Sequence, residues 1–323
     1  MSSHPRLTAV ATAVAALAVL AAGPAPGGDP TVSDPRVVAH FDFAAGQNAE
    51  NIALEPDGSA DITFAFAHQV ARVTKDGDTT ILATLPEVPD AQTPVGGAVA
   101  LGIARAHDGT LYVTYVTGTK ETGIWRVAPG GEPEQIGFFP ADAFPNGLAL
   151  DEKCGTLYTA DTRLGTVWSL PVTGGTPTAW ATGAALEPTE QIPFGANGLK
   201  VHDGAVWVSN TAHATLLRIP IGPEPDRAAG PIETRATGLT FIDDFTFTGH
   251  GDTVLAALHQ DNKLELVRPD GTHKTVLTGA DGLDGPTSVA VRAKTVYVNS
   301  AAFFNTEDPD PNLLLARISK NKL

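Results

Sequence analysis

Short runs of alternating apolar and polar residues recur along this chain from about residue 50 onward, each closed by a break rich in Gly, Asp, Asn or Pro. Alternation of period two puts successive side chains on opposite faces, so the runs predict half-buried β-strands. The Gly-bearing breaks predict tight turns. The stretch NGLALD, EKCG, TLYTAD, TRLG, TVWSLPV, TGGT, PTAWATG shows the unit, in which strands and turns alternate. The next unit repeats the plan as NGLKV, AVWVSN, TLLRIPI and ETRATG, with a loop inserted at Gly222 to Pro231.

Four units begin alike: Glu50-Asn51-Ile52-Ala53-Leu54, Asn146-Gly147-Leu148-Ala149-Leu150, Asn197-Gly198-Leu199-Lys200-Val201 and Asp243-Asp244-Phe245-Thr246-Phe247. Starts spaced by about 40 to 50 residues match the repeat of a β-propeller blade. A last unit begins at Gly285 and reads GPTSVAV, TVYVNS, LLLARIS, one strand short. Val37 to Phe43 (VVAHFDF) has the pattern of the outer strands TTILATL and HKTVLTG and can complete it. Such closure removes open sheet edges. The predicted fold is all-β: a six-bladed β-propeller over residues 37–323, its last blade closed by an N-terminal strand.

Upstream, His4 and Arg6 precede the apolar run Leu7 to Ala22 and then Gly23-Pro24-Ala25-Pro26-Gly27-Gly28. A basic start, a short apolar core and a small-residue exit predict a secretory signal peptide over 1–28, with 29–36 as linker and a secreted, extracellular product. Without the signal no membrane association is expected. The single cysteine, Cys154, rules out an internal disulfide. The 33 Gly and 25 Pro are spread along the chain, as many tight turns require. A net charge of −15 with no Lys/Arg cluster excludes a nucleic-acid partner. No serine-nucleophile, zinc-protease, phosphate-loop or dinucleotide motif occurs in its required setting.

Equivalent blade positions converge on one axis, so Glu50, Asn146, Asn197 and Asp243 should form a ring of oxygen donors carrying charge −2. An Asn-Gly pair alone is a hairpin turn, but turn chemistry does not call for the Glu and Asp found at the matching places. The ring suits one hard divalent cation, calcium first, with zinc, magnesium or manganese as alternatives. The matching positions in the second and sixth blades are Leu101 or Gly102, and Gly285 or Pro286. A second set, Asp161, Asn210, His259 and Ser300, ends second strands and should surround the same mouth, or else hydrogen-bond to loop backbone. His259 and His213 are the histidines expected near it.

The blade starts ENIAL, PNGLALD, GANGLKV and IDDFTF resemble those of the SMP-30/gluconolactonase/LRE-like family, a likeness running from about Ala49 to Ser300. The resemblance implies a six-bladed propeller with a divalent cation in its channel and hydrolysis of lactones or esters. It assigns the cation to Glu50, Asn197 and Asp243, and contact with substrate or water to Asn146. Sugar-lactonase members carry Arg two residues before that Asn, where this chain has Phe144; the lost cation points away from polar sugar lactones. The expected function is therefore a metal-dependent lactonase or esterase, a monomer acting on a small-molecule lactone or ester. Asp243, or its neighbour Asp244, serves as general base. The alternative is a non-catalytic propeller that binds a ligand or protein and holds a structural metal.

Overall fold

The computed structural model describes residues 28–319, so the expected signal peptide lies outside the described residues except for Gly28. These residues form six four-stranded antiparallel sheets. Five sheets are built from consecutive strands, and the sixth has the order closing strand, last strand, middle strand, inner strand. The chain is a six-bladed β-propeller. Helix is confined, among the described residues, to the three-residue turn Gly279–Asp281. No helix among them is long and apolar enough to cross a membrane.

Each blade twists, so its faces meet the next blade at an angle and the core divides into clusters between neighbours. Ala149, Tyr158 and Ala160 of the third blade interdigitate with Val206, Val208 and Leu217 of the fourth. Leu255, Leu264 and Leu277 of the fifth meet Val296, Val298 and Leu314 of the sixth.

The closing strand spans Val32–His40, beginning earlier than expected and ending before Phe43. Pro35 and the left-handed Asp34 (φ 54°) hid its start. Both are tolerated because they sit on an outer edge, within a register shift between Ser33 and Arg36. The stretch read as linker is likewise fastened. Asp29 pairs with Arg268 at 2.7 Å and Lys274 at 2.9 Å, and those cations hold its carboxyl far below the usual range. Phe41 leaves the strand and packs edge-on against Phe64, ring centroids 4.8 Å apart.

Candidate active site at the propeller mouth

The innermost strands are Ala49–Leu54, Val99–Arg105, Pro145–Asp151, Ala196–His202, Ile242–Phe247 and Pro286–Arg292. All carry a register shift near their start, at Glu50-Asn51, Leu101-Gly102, Asn146-Gly147, Asn197-Gly198, Asp243-Asp244 and Thr287. A bulge re-aims side chains, and here it turns the first bulged residue towards the axis. The matching position of the second blade is thus Leu101, and that of the sixth is Thr287, one residue beyond the expected Gly285 or Pro286.

Hydroxyls on the neighbouring strands hold these bulges. Thr63 Oγ1 accepts from the Asn51 amide at 3.1 Å and donates to the Leu101 carbonyl at 2.5 Å. Thr114 likewise accepts from the Gly102 amide and donates to the Asn146 carbonyl, both at 2.8 Å. Ser209 links the Gly198 amide to the Asp243 carbonyl. Each hydroxyl therefore satisfies one blade's bulge and fixes the ring residue of the next. The second bulged position packs closely there: a Cβ on Gly147 would lie 2.4 Å from the Asn197 carbonyl, and one on Gly198 the same distance from an Asp244 oxygen.

Glu50, Asn146, Asn197 and Asp243 do converge, on a cavity of about 490 Å³ that they share with Leu101, Phe144 and His259. All four ring residues are buried. Among the described residues Glu50 Oε2 and Asn197 Oδ1 find no hydrogen-bond partner, although the Asn197 amide donates to Thr211 Oγ1 at 3.0 Å. Burial, then the charge of Asp243, pushes the Glu50 carboxyl well above its ordinary range. Burial, then the charge of Asp244, does the same to Asp243.

Asp244 faces Lys200 and not the cavity, with N–O distances of 2.7 and 2.5 Å. Burial still raises its pKa, with Lys200 opposing. Lys200→Met is expected to lower stability by about 3 kcal/mol, the low end for breaking a buried pair, because Lys200 is 24% exposed. Combining it with Asp244→Asn should recover most of that loss in urea unfolding. Equal losses in the single and double variants would show that the pair is not coupled.

His259 reaches the ring, its Nδ1 lying 3.5 Å from Asp243 Oδ2. That is a close polar contact, longer than a hydrogen bond. Burial pushes the imidazole down to about 4, so it is neutral at pH 7. Gly285 makes room for the ring, since a Cβ there would lie 2.9 Å from it. His259 Nε2 has no partner among the described residues.

The other turn residues serve the loops. Asp161 Oδ1 accepts from the amides of Phe144, Arg163 and Leu164, and its Oδ2 from the Trp168 indole. Asn210 donates to the Ala185 and Glu187 carbonyls. Ser300 Oγ accepts from the Asp284 amide. His213 donates its amide to Asn210 and stays outside the cavity lining. Sequence reasoning missed the aromatic wall made by Phe66, Phe194, Phe241, Phe303 and Phe304 beside Phe144. Its trace was present: Phe303 and Phe304 follow Ser300 in the same turn that drew attention to polar residues.

Whether this ring suits a cation can be judged from its donors. Among the described residues no three His, Cys, Asp or Glu side chains group closely enough to hold a metal alone. A cation here would draw on two carboxylates and two amide oxygens, two of whose atoms are buried and unpartnered. Leaving such atoms unmatched is costly, and a hard cation would relieve it. The residues fit.

Neither a protein-family model nor a characterised protein matches the chain by sequence. Solved structures do match by shape. A calcium-binding protein, regucalcin, from Agrobacterium tumefaciens is 15% identical with a TM-score of 0.65, over 88% of this chain and 93% of that one. The PQQ-bound aldose sugar dehydrogenase from Streptomyces coelicolor is 19% identical with a TM-score of 0.63, over 91% of this chain and 100% of that one. A gluconolactonase from Xanthomonas campestris is 14% identical with a TM-score of 0.61, over 91% of this chain and 99% of that one. At such identities these likenesses establish the propeller fold.

Proposed function

We propose that this chain is a secreted, metal-dependent hydrolase of lactones or carboxylic esters, acting as a monomer and related to the SMP-30/gluconolactonase/LRE-like group. The observation that carries this reading is the convergence of Glu50, Asn146, Asn197 and Asp243 on one cavity, with two buried oxygens lacking partners. The likeness in fold of the whole chain to a calcium-binding protein and a gluconolactonase supports the same reading. Glu50, Asn197 and Asp243 would hold one divalent cation, calcium first, with Asn146 beside it. When bound, the cation supplies Lewis-acid polarisation of a carbonyl and lowers the pKa of water.

The chain's own residues do the rest. Water attacks the carbonyl carbon and gives its proton to Asp243. The C–O bond to the leaving oxygen then breaks, and the proton returns to that oxygen. Asn146 can donate an amide hydrogen to the carbonyl oxygen as charge develops there. His259, neutral and set against Asp243, limits how the carboxylate can turn. The surrounding phenylalanines exclude competing water.

Elemental analysis of purified protein should find about one divalent cation per chain, lost in Glu50→Gln and in Asp243→Asn. Chelation should also expose the burial cost of these carboxylates. Because their folded-state pKa values are raised, their stabilising effect is full below the ordinary carboxylate range and lost as pH rises through the raised values. The chelated protein should therefore melt progressively lower as pH climbs from about 4 towards neutrality, and added calcium should reverse the fall. Unchanged metal content in both variants would defeat the site. One bound metal with no turnover across lactones and aryl esters would favour the non-catalytic propeller.

A further inference from the structure

We propose that the site takes lactones or esters carrying a large apolar acyl or aryl group and rejects sugar lactones, an inference that rests on the hydrolytic reading above. Three independent features of the cavity point this way.

The first is what the wall lacks. Among the described residues no Lys or Arg lines the cavity. Beyond the four ring residues and His259, its polar side chains are Gln191 and Thr211. Thr211 is already committed, donating to the Ile242 carbonyl at 2.7 Å and accepting from Asn197. A sugar lactone brings several hydroxyls, each of which must exchange water for a protein partner. Gln191 alone cannot serve them.

The second is what the wall contains. Phe66 and Phe303 meet edge-on with centroids 5.9 Å apart, and Phe144 and Phe194 at 6.2 Å. Phe303 and Phe304 lean on the His259 ring at 5.5 and 4.9 Å. These contacts hold the rings before a ligand arrives. A cavity of about 150 Å³ holds benzene. The 490 Å³ here leaves room for a tail of several carbons beyond the reacting group.

The third is backbone conformation. Phe241 has φ 50°, a left-handed value that bulky residues seldom adopt. Its counterpart in the next blade is Gly285, at φ 65°. Both give their carbonyl to the same ladder position, Phe241 to the His259 amide and Gly285 to the Ala301 amide. The same position is not left-handed at Asn48, Phe144 or Gly195 of other blades, so the turn is particular to the fifth and sixth blades, and in the sixth glycine meets it without strain. The fifth blade places Phe there instead, with its ring on the cavity. Strain of this kind collects at ligand sites.

The test uses δ-lactones with alkyl tails of increasing length beside D-glucono-δ-lactone. It also uses N-phenylnaphthylamine, a neutral dye that fluoresces in apolar sites. For the calcium-loaded protein, kcat/KM should rise about fourfold per methylene, the ratio given by about 0.8 kcal/mol per buried group, until the cavity fills. Gluconolactone should fall on the order of 100-fold below δ-decalactone, as four such methylenes require. The dye should bind one site and be displaced by δ-decalactone but not by gluconolactone. Phe304→Ser, at a side chain already 64% exposed, should fold normally and flatten the tail-length series.

Gluconolactone turned over as well as δ-decalactone, or a flat series, would overturn the substrate class while leaving hydrolysis intact. Dye binding displaced by δ-decalactone, with no lactone cleaved, would support the apolar ligand class and defeat the hydrolytic reading. Neither binding nor turnover would defeat both.

Discussion

A chain lacking residues 29–40 is expected to lose its cooperative melting transition, or to melt roughly 10 °C lower. The reason lies in how the ring closes. Val32 and Val37 of the closing strand pack on the cluster that joins the fifth and sixth blades, while Val38 and Ala39 pack on the one joining the sixth and first. Removing four such side chains, three of them half-buried, costs on the order of 4–5 kcal/mol before any backbone term. It also leaves Asn312–Ile318 as an unpaired edge beside exposed Leu313 and Leu315, the kind of edge that recruits other chains. The Asp29 clasp on Arg268 and Lys274 goes with it. Size-exclusion chromatography should show association, and a synthetic peptide spanning residues 29–43 should restore the monomer by strand addition. A truncated chain that stays monomeric with an unchanged melting temperature would show that the ring does not depend on this strand.

The blades and the ring were legible in the sequence for one reason. A polar residue at the start of an otherwise apolar strand stands out, and a fixed repeat tells where its equivalents fall. Glu50 and Asp243 were distinct because no turn needs them. Four things were hidden. The bulges shift the sixth blade's position to Thr287, and a bulge leaves no mark in a pattern read by alternation alone. The start of the closing strand was masked by Pro35, which an edge strand accepts and a central one does not. The turn residues were ambiguous for a deeper reason. Asp161, Asn210 and Ser300 are the last residues of their strands and bind loop backbone. His259 instead follows Leu258, one residue past its strand, and faces the cavity as Thr211 does in the fourth blade. Side-chain chemistry at a turn does not reveal whether backbone donors are near enough to claim it. The aromatic wall escaped because isolated phenylalanines read as core, and only the assembled mouth shows that six of them share one cavity.

Asp243→Ala is expected to lower hydrolysis of an apolar lactone by at least about 10²–10⁴-fold, the range for losing a positioned general base, because the cation that Asp243 holds is lost with it. Asp244→Ala should act mainly on stability. The two carboxylates are adjacent in sequence, and the bulge gives them different surroundings. Asp243 lines the cavity and stands 3.5 Å from His259. Asp244 is turned to Lys200, and its removal leaves a half-buried ammonium unpaired. Chelation should abolish turnover of the native chain. In the metal-free chain burial and the Asp244 charge raise the Asp243 carboxyl, and a bound divalent cation opposes that shift by favouring the ionised form. Activity of the calcium-loaded chain should rise with pH as Asp243 loses its proton and then level off. Asp243→Ala should erase this limb as well as the rate, whereas Asp244→Ala should keep the limb and shift it to lower pH, since one neighbouring charge is gone. Full activity in Asp243→Ala, or an unchanged limb in both variants, would place the proton acceptor elsewhere in the cavity.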